Sequence, residues 1–479
     1  MKTVKNYLYN VAYQVFVIIV PLITVPYISR VLGKTAVGIN AYTNSIVTYF
    51  VLFGSIGVAL YGNRTIAYRR NDPKALTKAF WEITLLRLLT IIVSTVFYMI
   101  YVFFIAKEYQ DVLLAQSIML LAAAFDISWL FMGLEDFKKT VVRNMIVKLA
   151  SLVLIFTFVK TRNDLILFVI VTAGSQFLGN LTFWPYLRKT LVRVTVTELN
   201  LWQHFMPSIY LFIPEIATQV YLVLNKTMLG KWYSVDSAGF FDNSDKIVRV
   251  LLAVVTATGT VMLPRVASTF AAGNFEKVKS YLNVTFDFVS IISFPLSFGI
   301  IAVADNFSLL YFGPGFAGIE DILKVLPLVI IFISWSNAIG KQYLLPTNQM
   351  KPYTASVVGG AFVNVMLNIM VIATFGPVGA AVASVIAEGV VTSIQLYAVR
   401  QALDLKRLFK NTWKYLVAAG TMGIVAYYVG TLRAGVIGLV MQVIVGVIVY
   451  GLLILLLKPT ILKVVLNFIK TRRISEDGL

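Results

Sequence analysis

The sequence predicts an all-α, polytopic membrane protein with about 14 transmembrane helices, arranged as two pseudo-symmetric six-helix lobes plus two C-terminal helices. The first observation is composition, because 59% of the 479 residues are hydrophobic and only 13% are charged. The second is the recurrence of apolar stretches of about 18–25 residues along the whole chain. The third is an internal repeat. A water-soluble domain of this size needs far more charge, so the bilayer is expected to be the solvent.

The apolar stretches place 14 spans along the chain. The first begins after a short basic segment and could pass for a secretory signal, but it continues to about Ser29 without a small-residue cleavage site. It is therefore interpreted as a retained helix. The predicted spans are 8–29, 38–62, 82–106, 112–133, 144–160, 164–187, 206–229, 238–264, 281–304, 320–345, 353–375, 378–400, 414–432 and 435–457.

These spans predict four regions. Residues 1–187 form an N-lobe with spans 1–6, and residues 206–400 form a C-lobe with spans 7–12. Between them, residues 188–205 are expected to be an amphipathic linker on the membrane surface. Residues 401–479 hold spans 13 and 14 and a basic cytoplasmic tail.

The repeat relates spans 1–2 to spans 7–8. SRVLGK at 29–34 and GINAYTNS at 38–45 match NKTMLGK at 225–231 and GFFDNS at 239–244. Each copy has a cation near the end of an apolar helix, a Leu-Gly-Lys turn and a second apolar helix opened by glycine. Repeated halves are typical of transporters, which place the binding site between them.

Basic residues predict the orientation. With the N-terminus in the cytoplasm, 29 Lys and Arg residues fall in inside segments and 7 in outside segments. The positive-inside rule therefore places both termini in the cytoplasm. This bias also accounts for most of the net charge of +19, so nucleic acid is not needed as a partner.

Several chemistries have no candidate residues. Cysteine is absent and His204 is the only histidine, so thiol chemistry, cysteine metal sites and Ser-His-Asp triads are unsupported. The motifs HExxH, Walker A and GxGxxG are also absent. The sequence predicts a protein that is not an enzyme and needs no cofactor or metal.

Charged residues inside the spans are the candidate functional residues, because charge in a membrane is costly and normally faces a partner or a watery cavity. Arg30 and Lys226 occupy equivalent places in the repeats, although snorkelling to the interface explains either one alone. Span 8 carries two i,i+4 pairs, Asp242–Lys246 and Asp245–Arg249, which are either self-neutralising or hold cations for an anion. The candidate anion ligands are Arg30, Lys226, Arg249 and, more weakly, Lys246.

Acids inside the spans are candidates for ion coupling or gating, with a structural hydrogen bond to a helix break as the alternative for each. The set selected is Asp126, Asp242, Asp245 and Glu388; Glu215 and Asp287 are further isolated acids. Arg87 and Lys324 have no evident partner in the sequence.

Five stretches in order along the chain resemble the Wzx-type polysaccharide repeat-unit flippases of the multidrug/oligosaccharidyl-lipid/polysaccharide exporter superfamily. They are PYISRVLG at 26–33, DISWLFMGLEDF at 126–137, KTMLG at 226–230, TVMLPR at 260–265 and GPVGAAVAS at 376–384 followed by Glu388. The stretch at 126–137 resembles capsule or exopolysaccharide members. The family tends to carry Asp before the lysine of span 7, whereas this chain has Asn225, which is expected to leave Lys226 more available to an anion.

The resemblance implies two lobes around a central cationic cavity that opens alternately to each side of the bacterial cytoplasmic membrane. The implied substrate is an undecaprenyl-diphosphate-linked oligosaccharide, with membrane lipids and polysaccharide polymerase or assembly proteins as further partners. Arg and Lys suit a diphosphate, and a polar path spares the head group the loss of its water. A lipid II flippase and a drug or cation antiporter remain the alternatives. A lipid scramblase is a weaker one, and the lack of a large external loop disfavours a polymerase or ligase.

Overall fold

The computed structural model describes the backbone of residues 2–462. The side chains of residues 2–15, 17, 137, 196, 213–215, 217–218, 257–261 and 263–264 lie outside the described part. Within residues 2–462 the regular structure is helical, without strands. The α-helices are α1 (Lys2–Ser55), α2 (Val58–Arg69), α3 (Pro73–Ile100), α4 (Gln110–Gln116), α5 (Ile118–Ala124), α6 (Ser128–Gly133), α7 (Phe137–Phe158), α8 (Leu165–Leu181), α9 (Leu187–Thr190), α10 (Phe205–Trp232), α11 (Val235–Ala271), α12 (Phe275–Phe312), α13 (Ile319–Leu323), α14 (Val329–Ser336), α15 (Met350–Val399), α16 (Leu405–Leu408), α17 (Thr412–Leu432) and α18 (Gly435–Leu457).

The all-α membrane fold is confirmed. Among the described residues, 10 helical stretches are long and apolar enough to cross a membrane. Met350–Val399 contains predicted spans 11 and 12, and Ile18–Arg69 contains span 2 and the second half of span 1. Predicted spans 7 and 8 coincide with α10 and α11, parts of which lie outside the residues whose side chains are described. Counted this way, each of the 14 predicted spans falls on helix.

Two glycines divide the long helices. Gly33 in α1 has φ +76° and Gly376 in α15 has φ +52°, a region that glycine enters without the steric cost of a Cβ. Gly33 lies in the first Leu-Gly-Lys segment and confirms the predicted turn. In the second copy the prediction is wrong, because α10 continues through Gly230 and ends at Trp232. Gly230 instead allows close packing, since a Cβ there would lie 2.3 Å from the Tyr42 ring.

Packing divides the chain into two compact units at Asp242–Asn243. The core of the first unit surrounds Trp129, which is 1% exposed and stacks on Phe80 with a centroid distance of 5.6 Å. The core of the second unit includes Phe294 and the fully buried Tyr415. The boundary lies within α11 rather than in the predicted linker, because α10 packs against α1. The division into an N-lobe and a C-lobe at 188–205 stays a prediction.

The linker 188–205 consists of the end of α9 and short turns, and its position on the membrane surface stays a prediction. α9 ends at Thr190, and short 3₁₀ turns follow at Val196–Glu198 and Trp202–His204. Polar contacts with α2 and α3 hold the second half of this segment, as described below.

Candidate functional site

The repeated segments meet each other in the first unit, at what we call the repeat crossing: the part of α1 after Gly33 against the end of α10 and the start of α11. Gly38 and Gly239 lie at its centre. A Cβ on Gly239 would lie 2.8 Å from the Cα of Gly38, and a Cβ on Gly38 would lie 2.1 Å from the carbonyl oxygen of Val235. Glycines at both positions therefore allow the two backbones to approach closely, as small residues do between membrane helices.

Polar contacts accompany the repeat crossing. The hydroxyl oxygens of Ser45 and Thr227 are 2.8 Å apart. Lys34 Nζ lies 3.1 Å from Asp236 Oδ2, in a salt bridge whose lysine is half exposed. The residues that the sequence repeats thus form one interface, with an ion pair near the ends predicted to face outward.

Lys226 is held by Asp242, and the two lie in the same unit. Lys226 Nζ donates to Asp242 Oδ1 at 2.8 Å, and the side chains are 16% and 10% exposed. Asn225 was expected to leave Lys226 more available for an anion, but this is wrong because Asp242 supplies the acid from the next helix. Helix spacing within α11 does not reveal this partner, which is 16 residues away in the sequence.

The other candidate cations lie closer to solvent or lipid. Arg30 is exposed on α1, in the turn before Gly33. In the second unit, Arg249 Nε donates to Asp245 Oδ2 at 2.6 Å, which confirms that i,i+4 pair. The Arg249 side chain is 43% exposed, and Lys246 on the same helix is half-buried.

Asp126 caps a helix break. It lies between α5 and α6, and its Oδ1 accepts from Ser128 N at 2.9 Å. Arg87 from α3 is its partner: Nη1 donates to the Asp126 carbonyl oxygen at 2.8 Å, and Nη2 lies 3.7 Å from Oδ2. Arg87, which had no evident partner in the sequence, therefore has one. Asp126 has the geometry of a structural hydrogen bond to a helix break, which was the alternative to a coupling or gating role.

The remaining acids have varied surroundings. Glu388 is buried in α15, with 5% exposure, and its coupling role stays a prediction. Asp287 accepts hydrogen bonds from Tyr415 at 2.6 Å and Asn411 at 3.0 Å, so it too has the geometry of a structural hydrogen-bonding residue. Lys324 pairs with Asp305 at 2.7 Å. The side chain of Glu215 lies outside the described residues.

Glu82 of α3 is a buried acid that was not among the predicted site residues. Its side chain is fully buried, and it accepts hydrogen bonds from Asn200 N at 2.8 Å and Gln203 Nε2 at 2.9 Å. His204 Nε2 lies 2.8 Å from the same carboxylate, and the Tyr61 hydroxyl lies 2.7 Å from His204 Nδ1. These contacts fasten the end of the linker to α2 and α3. In the sequence, the feature that could have indicated Glu82 is its position beside Trp81 at the start of an apolar run.

His204 lies before α10, outside the spans. Burial lowers the pKa of His204 below its usual value, and the charge of Arg69 acts in the same direction. Glu82 opposes this shift through its hydrogen bond and its charge, which favour the protonated ring. Burial is the largest effect, so the ring is held neutral at neutral pH.

The helical architecture defines a multi-pass membrane protein. A family described as "Polysaccharide biosynthesis protein" matches residues 3–270, more than half of the chain, and the chain therefore belongs to that family. The chain is 22% identical over 400 residues to the putative O-antigen transporter of Escherichia coli (strain K12), covering 83% of this chain and 96% of that protein. It is also 22% identical over 257 residues to the probable low-salt glycan biosynthesis flippase Agl15 of Haloferax volcanii, covering 53% and 54%.

Solved structures share the fold. A lipid II flippase, MurJ, in an inward closed conformation aligns with a TM-score of 0.75 at 16% identity, over 94% of this chain and 98% of that one. An inward-facing multidrug resistance transporter of the MATE family aligns with a TM-score of 0.62 at 14% identity, over 82% and 99%. The resemblance to polysaccharide repeat-unit flippases is confirmed, and the protein is a transporter rather than an enzyme.

Proposed function

We propose that the protein flips undecaprenyl-diphosphate-linked oligosaccharide repeat units across the bacterial cytoplasmic membrane, for capsule or exopolysaccharide export, with both termini in the cytoplasm. The observation that carries the proposal is the similarity to the putative O-antigen transporter, which extends over 96% of that protein. A lipid-linked glycan needs a polar path for its head group, because charges and hydroxyls lose their water in hydrocarbon. Its polyprenyl tail can remain in lipid.

Arg30, Lys226 and Arg249 are the proposed ligands of the diphosphate, with Lys246 as a weaker fourth. The Lys226–Asp242 pair supports a role for Lys226, because one carboxylate holds the ammonium in place within a poorly exposed site. A phosphate oxygen that replaced the carboxylate would exchange one anionic partner for another. The Arg249–Asp245 pair offers the same exchange nearer the surface.

The repeat crossing is the proposed outer gate of an alternating-access cycle. Gly38 and Gly239 let the two backbones touch, and Lys34 and Asp236 add an ion pair at the ends predicted to face outward. A partly exposed ion pair and the hydroxyl contacts of Thr227 with Ser45 and Tyr49 are weak enough to part during each cycle. Separation of this interface would open the path toward the outside. The acids Asp126, Asp242, Asp245 and Glu388 remain candidates for coupling or gating.

Gene deletion tests the proposed function. A strain without the gene, and without a second flippase, is expected to accumulate lipid-linked repeat units on the cytoplasmic leaflet and to lose surface polymer. The leaflet is determined by the access of a membrane-impermeant glycosidase to the lipid-linked sugars. Normal surface polysaccharide in the clean deletion would refute the proposal.

Substitution tests the proposed ligands. Arg30→Gln, Lys226→Gln and Arg249→Gln are each compared with the unmodified protein at equal membrane abundance. A charge-assisted hydrogen bond is worth roughly 1.5–3 kcal/mol, so each loss is expected to weaken binding about tenfold to a hundredfold. Arg30→Lys is expected to be partly defective if its contact is bidentate. Full export by all three single variants and by the triple variant would show that these cations serve topology.

A lipid II flippase is the second candidate, supported by the fold shared with MurJ along nearly the whole chain. The two candidates differ in what a depleted strain lacks. Loss of peptidoglycan precursors on the outer leaflet, with cell lysis, would favour lipid II. Loss of surface polymer from viable cells would favour the repeat-unit flippase.

A further inference from the structure

A cavity in the second unit lies beside Asp287, apart from the proposed diphosphate ligands. The start of α12, the segment around α16 and the residues after α18 enclose a volume of about 590 Å³. The walls include Asn283, Asp287, Asn411 and Ile461. We call it the α16 cavity. Its size suits a small polar head group rather than a bare ion.

Three basic side chains line the α16 cavity: Lys406, Arg407 and Lys410. All three are exposed, and among the described residues none of them forms a salt bridge. Asp404, the acid nearest to them in sequence, is used as the cap of α16, where its Oδ1 accepts from the backbone N–H groups of Lys406 at 3.0 Å and Arg407 at 3.3 Å. The cap fixes the backbone that carries the cations, and Glu276 of α12 is a further acid that interacts electrostatically with Arg407.

The inner wall of the α16 cavity is polar. Tyr415 and Asn411 donate to the two oxygens of Asp287, so that carboxylate is already hydrogen-bonded on both sides. Asn411 is 6% exposed, and its Oδ1 accepts no hydrogen bond among the described residues. Asn283, which is partly exposed, adds an amide that a ligand hydroxyl or amine can reach. The cavity therefore combines a basic rim with a polar wall.

Three segments that the positive-inside rule independently places in the cytoplasm converge on the α16 cavity. They are the N-terminal end of α12, the connection between α15 and α17, and the residues after α18. Trp413 is 55% exposed beside them, and Lys414 Nζ lies 6.0 Å from its ring centroid, an arrangement typical of the membrane interface. This is the depth at which the phosphates of lipid head groups lie.

We propose that the α16 cavity binds a phosphate ester that also carries a hydroxyl or amine, with Lys406, Arg407 and Lys410 contacting the phosphate. The chemistry is that of an anionic phospholipid head group of the inner leaflet, and a soluble phosphate ester offers the same groups. Lys and Arg recognise phosphate through charge-assisted hydrogen bonds.

The test measures binding to the purified full-length protein in a neutral detergent. Phosphatidylglycerol, phosphatidylcholine and glycerol 3-phosphate are titrated separately, and bound ligand is counted by native mass spectrometry. The variant Lys406→Gln/Lys410→Gln/Arg407→Gln removes the basic rim. The matched control Lys74→Gln/Lys138→Gln/Lys351→Gln removes the same charge from exposed positions on the same predicted face.

Phosphatidylglycerol affinity is expected to fall at least about tenfold in the rim variant and to stay unchanged in the control, with phosphatidylcholine binding weakly to all three proteins. Glycerol 3-phosphate binding that depends on the rim, without lipid binding, would support the phosphate site and identify a soluble ligand. Equal losses in the rim variant and the control would overturn the proposal, as would an unchanged rim variant. If the triple variant does not yield folded protein, the single variant Lys410→Glu, at an exposed position, replaces it in the same binding measurements.

Discussion

Neutralising Lys226 separates its two proposed roles, as the partner of Asp242 and as a ligand of the diphosphate. At 2.8 Å the Coulomb attraction of the pair is about 6 kcal/mol with an effective dielectric constant near 20. The cost of removing both groups from water offsets part of this. Removing one partner leaves a shielded charge alone, so Lys226→Gln is expected to destabilise the protein by about 3 kcal/mol.

The double variant Lys226→Gln/Asp242→Asn leaves no unpaired charge and is expected to recover most of that stability. Thermal unfolding in detergent measures stability, and complementation of a deletion strain measures export. If Lys226 contacts the diphosphate, the double variant stays defective in export although it is stable. The control is Lys279→Gln, whose bond to Glu276 has the same length of 2.8 Å but is exposed, and which is expected to change neither property.

Two outcomes would refute this reasoning. A Lys226→Gln protein as stable as the unmodified one would contradict the energetic value of the shielded pair. Full export by the stable double variant would show that Lys226 serves only as the partner of Asp242.

Further predictions address the gate, the linker, the core and the topology. Ser45→Cys/Thr227→Cys replaces hydroxyls 2.8 Å apart in a chain without native cysteine, and its disulfide is expected to block export until a reductant is added. The control is Ser234→Cys/Ser237→Cys, whose hydroxyls are also 2.8 Å apart but lie within one turn. Export by the oxidised Ser45→Cys/Thr227→Cys protein would refute the gate. Because the pKa of His204 is lowered in the folded protein, its contribution to stability is present above the unfolded value of about 6.5 and is lost as the pH falls through the folded value. Thermal unfolding between about pH 7 and pH 5 is therefore expected to be less pH-dependent in His204→Gln, and an unchanged slope would contradict the lowered pKa. Gly62→Val places a Cβ 2.5 Å from the Trp129 ring and is expected to reduce folded protein strongly, whereas Gly174→Val, with open space at its Cβ, is expected to be tolerated. Reporter fusions after Lys74, Arg193, Lys279 and the C-terminal tail are expected to report the cytoplasm and fusions near Lys107 and Lys231 the outside; an external C-terminus would overturn the 14-span topology.

The membrane fold was predictable from the sequence because span length and apolarity are local properties. A helix in hydrocarbon satisfies its own backbone hydrogen bonds, so a stretch of about 20 apolar residues is sufficient to predict one. The repeat was also predictable from the sequence, since Gly33 matches Gly230 and Gly38 matches Gly239. The Arg249–Asp245 pair was predictable for the same reason, because i,i+4 neighbours share a helix face.

Contacts between helices were decided only by the tertiary structure. Lys226 pairs with Asp242, Arg87 with Asp126 and His204 with Glu82, and each partner lies on another element. Hydropathy and periodicity predict which face of a helix is apolar, but a charged residue pairs with whichever group helix packing brings within about 4 Å. The α16 cavity has the same origin, since three segments far apart in the sequence enclose it. Local sequence thus determined the helices and the expected topology, whereas packing determined which polar groups became partners.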